Sequence, residues 1–370
     1  MPERIAITNA TGRQAASLAR SAAAVGYHIS AHIYSFKYSP LVASEISALP
    51  NTIVHTGALD SPQIQEALFK DADIAFINTT SFDKELETGK ACADVAKKAG
   101  VKHVIYSSMP DHGDAPEAKQ KGWHGLPHYR HKWEVEKYIQ TIAIPATFVY
   151  TGIYYNNFTS LPFPLFCLRE VPWEEVETWE GNWQDDWTEE KDGQKVKGRK
   201  CGFEWQAPWA PDVRLPWLDT EHDFGPAVLQ IFVDGPQRWA GKRFRIPLAF
   251  DLLSPSAVCA AFSKALNRPV RYVEGPIEIK VPIPEGYQEQ LEALQDLFGG
   301  DKVKGKNAPY WWDGIFDSAA SDIDREDQGL DFDVRLSRKM WEGWRDMEGY
   351  ARDIFPVEER LNGKNWMDEA

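Results

Sequence analysis

The chain has 370 residues and a net charge of −14, room for a nucleotide-binding domain and a second, smaller one. So acidic a balance argues against direct nucleic-acid binding, because phosphate contacts need a basic face. No apolar run is long enough to span a membrane, and no signal-peptide pattern stands ahead of the first apolar segment.

The first element is a short strand, Ile5–Ile7, which runs into a turn and an alanine-rich helix predicted over Gln14–Val25. The turn reads Asn9-x-x-Gly12-x-x-Ala15, where a dinucleotide-binding loop of the extended type reads Gly-x-x-Gly-x-x-Gly. Asn9 can take the left-handed conformation that the first glycine normally supplies. Gly12 lets the backbone approach a pyrophosphate, Ala15 permits close helix–strand packing, and the helix N-terminus offers N–H groups to the anion. Further apolar runs at His28–Phe36, Ile53–His55, Ile74–Asn78, Val101–Tyr106 and Ala146–Val149 predict buried parallel strands. Helical patterns at Pro62–Phe69, Leu86–Ala99 and Lys132–Ile142 separate the later ones, with Gly26 and Gly100 where helix C-caps belong. This βαβ alternation predicts an α/β, Rossmann-type doubly wound parallel sheet over 1–150.

Beyond Tyr150 the alternation stops, and 151–370 is expected to form a smaller, mixed α+β domain for a partner or substrate. Helices are predicted at Asp219–Val233, at Ser254–Leu266 with Ser254 as N-cap, at Tyr287–Phe298, and at Ser337–Ile354, ended by Pro356. Glu170–Arg199 carries ten acidic residues with Trp173, Trp179, Trp183 and Trp187 interleaved. It reads as solvated loop or as a docking surface for a basic partner. Asp317–Asp333 is likewise acidic. The cysteines, Cys92, Cys167, Cys201 and Cys259, have no short spacing, neither a disulfide framework nor a zinc pattern, and fit a reducing compartment.

Lys132 lies in a predicted helix after the strand ending Tyr106-Ser107-Ser108. Short-chain dehydrogenases place a proton-donating tyrosine four residues before such a lysine, on the same helix face. Here that position is His128, and Tyr129 is offset by one, so the proton relay is incomplete. His128 can serve as acid or base near neutrality; as a loop histidine it carries no role. His124, His128 and His131 lack a usual zinc spacing, so no metal is expected. The second strand ends Tyr34-Ser35-Phe36-Lys37 without the acid that marks NAD specificity. Arg13 and Lys37 can meet a 2′-phosphate, so either NAD or NADP is accommodated.

NATGRQAASL at Asn9–Leu18, AFINTTS at Ala75–Ser81, YSSMPDH at Tyr106–His112 and TFVYTGIYYNNFTSLPFPLF at Thr147–Phe166 resemble the NmrA family of atypical short-chain dehydrogenase-like proteins. LPWLDTEHDFGPAVLQIFVDGPQ at Leu215–Gln237 and WEGWRDMEGYARDIFPVEE at Trp341–Glu359 extend the resemblance to nearly the whole chain. It implies a non-catalytic, redox-sensing co-repressor that binds oxidised NAD or NADP and works in nucleus and cytoplasm. The implied partner is the zinc finger and C-terminal region of a GATA-type activator, restrained when preferred nitrogen sources are plentiful. Carried over by position, Asn9, Thr11, Gly12, Arg13 and Gln14 form the phosphate turn, and Tyr34 and Ser35 the second-strand contact. Asn78, Thr79 and Thr80 form the nicotinamide-side wall, Lys132 is the ribose lysine, and Tyr154, Tyr155, Asn156 and Asn157 close over the nicotinamide. Val171–Lys200 looks longer than the family's segment, and Gly300–Asp333 matches it less well. The alternative reading is an NADPH-dependent reductase of the atypical short-chain class, which uses the lysine without the tyrosine.

Overall fold

Short runs of four to six residues, the first five each followed by a helix, build a sheet in which every strand is parallel to its neighbours. The computed structural model describes residues 3–80, 84–111, 127–159, 166, 168–179, 188–191, 194–197, 201–240, 245–275 and 334–361. The chain divides into two units. The first comprises Met1–Gly152, Thr220–Phe250 and Tyr310–Trp344; the second comprises Ile153–Asp219, Asp251–Pro309 and Arg345–Ala370. A single boundary at 150 therefore does not describe the chain: two later segments return to the first unit.

In the first unit the strands are β1 (Arg4–Ile7), β2 (His28–Ile33), β3 (Thr52–Thr56), β4 (Ile74–Ile77), β5 (His103–Ser108), β6 (Ala146–Thr151) and β7 (Arg245–Leu248). Their order is β7-β6-β5-β4-β1-β2-β3. The order reverses between β4 and β2, so a crevice opens at the carboxyl end of β1, where open α/β sheets bind ligands. The unit's helices of a turn and a half or more are α1 (Arg13–Ala24), α2 (Pro40–Ala48), α3 (Pro62–Phe69), α4 (Glu85–Lys98), α5 (Pro127–Thr141), α6 (Thr220–Asp234) and α7 (Val334–Met340), with a single turn at Pro236–Trp239.

Three departures have local causes. The second strand stops at Ile33 rather than Phe36, and Tyr34, Phe36 and Tyr38 are exposed ahead of α2. β5 begins at His103 because Val101 is used to close the turn after α4. Its amide bonds Ala96 O at 3.1 Å while Gly100, at φ 82, bonds Lys97 O, the paired bonding of a glycine C-cap. β7, Arg-Ile-Pro-Leu, is not among the expected strands; it contains Pro247 and lies at the sheet edge, where proline is tolerated.

Helix α6 approaches α1 unusually closely. A Cβ on Gly225 would lie 2.2 Å from Ser17 O and 2.5 Å from Ser17 C. The Ser17 hydroxyl donates to Glu221 O at 2.8 Å and accepts from the Gly225 amide at 2.9 Å. It thus bridges an i, i+4 pair of α6 just before Pro226, which lacks an N–H of its own. Phe224 packs edge-on to Phe76 of β4, with ring centroids 5.5 Å apart.

The second unit holds two three-stranded sheets. In one, Cys201–Ala207 lies between Leu168–Pro172 and Val270–Glu274; in the other, Leu215–Leu218 lies between Ile153–Tyr154 and Asp251–Leu253. Phe158, Phe166, Trp205, Trp217 and Phe262 form its aromatic core. Helix Pro255–Leu266 starts as predicted, with the Ser254 hydroxyl accepting from Ala257 N at 3.2 Å.

The expectation of loop over Glu170–Arg199 is corrected for the described residues of that stretch. Leu168–Pro172 is a paired strand, Trp173–Val176 a helical turn, and Thr188–Lys191 pairs with Gln194–Lys197. Trp179 stacks under Arg271, 4.2 Å from its ring centroid. The single helix expected over Ser337–Ile354 is also corrected. α7 ends at Met340, and Met347–Asp353 starts afresh with Asp346 as N-cap, its carboxylate accepting from Gly349 N at 2.7 Å. Pro356 stands in the first turn of a further helix, Phe355–Leu361, where its missing N–H loses nothing. Tyr287–Phe298 and Asp317–Asp333 lie outside the described residues. Cys92, Cys201 and Cys259 are unbridged and buried; Cys167 is outside the description.

Candidate functional site

The turn at the carboxyl end of β1 is held from both sides. Asn9 sits at φ 48, the left-handed conformation expected of it. Its side-chain amide donates to Asn78 O at 2.6 Å, and its carbonyl accepts from Gly12 N at 2.8 Å. Thr8 Oγ1 exchanges bonds with Asn78, donating to its carbonyl at 2.9 Å and accepting from its amide at 2.7 Å. Gln14 is buried and joins the Asn78 side chain at 3.2 Å to Thr151 Oγ1 at 3.4 Å. Thr11 lies half-buried in the turn.

Gly12 is the N-cap of α1 at φ −74, ψ 150, an extended conformation open to any residue. Its small size matters instead, since a Cβ would stand 3.3 Å from Asn9 O. The first α1 residue after it to donate back along the helix is Ala16, to Gly12 O at 2.8 Å. The amides ahead of Ala16 face the helix end, the geometry that receives an anion.

A residue not foreseen as part of the site fixes the turn from below. His32 is fully buried on β2. Its Nε2 faces Gly57 O at 2.8 Å and so carries the proton, leaving Nδ1 to accept the Asn9 amide at 3.1 Å. Burial holds its pKa below the ordinary value, which keeps that acceptor available.

Lys132 projects from α5 to the ends of β4 and α4. Its ammonium donates to Thr79 O at 2.8 Å and lies 2.8 Å from Glu85 Oε1. Thr79 Oγ1 donates to the same carboxylate oxygen at 2.8 Å and lies 3.3 Å from the Tyr106 hydroxyl. Glu85 is 2 % exposed, so the pair is a buried neutralisation, with Glu85 the second unforeseen member. The neighbouring Thr80 is exposed.

A third unforeseen group lies one turn further along α5. Glu136 accepts from Ser108 Oγ and Tyr150 Oη at 2.6 Å each and from Arg245 Nε at 2.7 Å. Burial raises its pKa despite the arginine. These acids carry no spacing signal in sequence: Glu85 pairs with Lys132, 47 residues on in α5, and Glu136 faces Ser108, Tyr150 and Arg245 from three separate strands.

At the end of β2, Tyr34 is exposed and packs against Tyr38 at 5.8 Å, and Ser35 Oγ accepts from Lys37 N at 3.1 Å. Tyr154, Tyr155, Asn156 and Asn157 belong to the second unit. There Tyr155 is fully buried, donates to Asp251 at 2.6 Å and packs on Tyr350; Asn156 is also buried, while Tyr154 and Asn157 are half-buried. Tyr155 thus belongs to that unit's core. His124 and the His128 side chain lie outside the described residues, among which no metal-ligand cluster occurs.

Three acids at or near the start of α6 have structural partners. Glu221 pairs with Arg13. Asp223 is fully buried and bonds His222 at 2.6 Å and the Trp341 indole at 3.1 Å. In the second unit Asp219 accepts from Arg345 at 2.7 Å.

A parallel sheet reversing at β1, with a braced turn and a helix N-terminus at the reversal, defines a Rossmann-type α/β protein of the dinucleotide-binding kind. The model of the NmrA-like family matches residues 1–351, and the chain belongs to that family. It is 46 % identical to the nitrogen metabolite repression protein nmrA of Emericella nidulans over 98 % of both chains. It is 43 % identical to the nitrogen metabolite repression protein nmr of Neurospora crassa, over 99 % of this chain and 71 % of that one. Crystal structures of Nmra, a negative transcriptional regulator, in complex with NAD and with NADP each superpose with a TM-score of 0.77 at 46 % identity, covering 99 % of both chains.

Proposed function

We propose that this chain is an NAD(P)-binding negative regulator of transcription in nitrogen metabolite repression, which responds to the dinucleotide without transforming a substrate. The observation that carries the reading is the braced Asn9–Gln14 turn at the sheet's switch point. It stands in a chain 46 % identical, end to end, to a protein of that name. The donor set fits the cofactor: helix amides for a pyrophosphate, and Tyr34, Ser35 and Lys37 with no acid at the end of β2 to repel a 2′-phosphate. Asn78, Thr79 and Lys132 are the groups that would hold the nicotinamide end. The dinucleotide itself brings a ring whose charge differs between oxidised and reduced forms, and the oxidised form is the expected ligand.

Replacing Gly12 by Val tests the site. Branched methyls beside Asn9 O would crowd the anion position, and calorimetric affinity for NAD and NADP should fall at least about tenfold. Parent-like affinity in the folded variant would place the site elsewhere. Steady reduction of carbonyls or quinones that collapses in Lys132→Ala would favour the reductase instead.

The transcription factor partner is proposed to be a GATA-type activator, met through its basic zinc finger. Net charge −14 supports such a partner, since complementary charge raises association rate and selects partners. With Asp219, Glu221 and Asp223 paired, the acids of Glu170–Asp192 are the place to test. Changing them to Asn and Gln should slow binding to such a finger and flatten its salt dependence; an unchanged rate and salt slope would refute the assignment. The protein is expected in nucleus and cytoplasm, and cell fractionation that finds it in neither would oppose this.

A further inference from the structure

Arg13 opens α1 beside the anion-receiving amides, yet its guanidinium pairs with Glu221, one residue into α6. Both side chains are about one-third exposed, at 31 % and 38 %, so the pair is accessible to solvent and to an arriving anion. The backbone around Glu221 is independently fixed. Its carbonyl accepts from Ser17, and α6 cannot move away from α1 without breaking the Ser17 bridge to Gly225. The carboxylate is therefore held within reach of the arginine.

We propose that Glu221 competes with the phosphates of the dinucleotide for Arg13 and thereby sets the affinity of the site. The inference rests on the assignment of the Asn9–Gln14 turn as the phosphate site. Without ligand, Arg13 is neutralised by Glu221. A bound phosphate and the carboxylate seek the same planar donor fork, which serves either group in bidentate fashion. Binding then includes the loss or sharing of an existing ion pair, so the net gain from Arg13 is smaller than for an unpaired arginine.

The test is a double-mutant cycle on the full chain, with NAD and NADP affinities measured by calorimetry. Glu221→Gln keeps size and backbone bonding, and circular dichroism and thermal melting verify its fold. It should bind both dinucleotides about three- to tenfold more tightly than the parent, as expected when one ion pair no longer competes. Arg13→Ala should weaken binding, and adding Glu221→Gln to Arg13→Ala should change nothing further. An unaltered affinity in Glu221→Gln overturns the proposal. So does an equal gain in the Arg13→Ala background, which would make Glu221 a general repulsive charge acting without the arginine. If Arg13→Ala binds like the parent while Gly12→Val does not bind, the proposal fails and the site assignment stands; parent-like binding by Gly12→Val removes both.

Discussion

Replacing Gly225 by alanine gives the sharpest check on how α1 is seated. The new Cβ would lie 2.2 Å from Ser17 O, 2.5 Å from Ser17 C and 2.5 Å from Ser21 Oγ. Two of those atoms are backbone, so no rotamer change relieves the overlap, and α1 or α6 must move by more than an ångström. Alanine gains about 1 kcal/mol of helix propensity over glycine. Against this stand overpacking of about 3 kcal/mol and loss of the two Ser17 bonds, about 1 kcal/mol each. The net is about 4 kcal/mol of destabilisation, which for a unit of some 200 residues lowers Tm by roughly 8–16 °C. Differential scanning calorimetry measures it. Adding Ser21→Gly should not rescue the variant, because the backbone contacts remain. A Gly225→Ala protein as stable as the parent would refute the close approach, since propensity alone predicts a gain.

Lys132→Met strands Glu85 as an unpaired buried carboxylate and should lower stability in urea by about 3–5 kcal/mol. Glu85→Gln in the same chain should recover most of the loss, and equal damage in the double variant would contradict a buried pair. His103 is buried with its pKa pushed down to about 4, so it is neutral in the fold. Its share of stability is complete above the ordinary histidine pKa of about 6.5 and is lost as pH falls through 4, an acid penalty of about 3 kcal/mol. His103→Gln keeps a donor for Thr147 Oγ1 and should reduce the slope of stability against pH between 6.5 and 4; an unchanged slope would refute the assignment. Asn9→Ala loses the bond to Asn78 O and a residue suited to φ 48, and should cost about 2 kcal/mol in denaturant titration.

Sequence periodicity located six of the seven sheet strands as short runs followed by a turn, although β3 at the sheet edge is half-exposed, with Ile53 out in solvent, rather than buried as expected; the NmrA-like family was legible in motif blocks that the family match then supported. The seventh strand was not visible: four residues with a proline look like loop until a sheet edge receives them. The helix break at residues 341–346 was hidden for a different reason. Apolar spacing continues through it, whereas Asp346 caps a new helix only by folding its carboxylate back to Gly349. At the site, Asn9 could be read from residue type, since few side chains tolerate the left-handed region. His32, Glu85 and Glu221 could not, as their roles come from partners 23, 47 and 208 residues away. Burial of Tyr155 likewise depends on Asp251 and Tyr350, which no local pattern announces.

The edge position of β7 bears on how the chain is made and how it can be cut. When residue 150 leaves the ribosome, β6 has no outer neighbour, and α6, which will cover Phe76 and clasp Ser17, does not yet exist. The nascent nucleotide half must therefore persist with a raw flank of unpaired amides and carbonyls until about a hundred more residues have been synthesised, the kind of strand that invites intermolecular pairing. A truncated fragment ending near Tyr150 should accordingly be recovered as aggregate, and a soluble one must retain the stretch through Phe250.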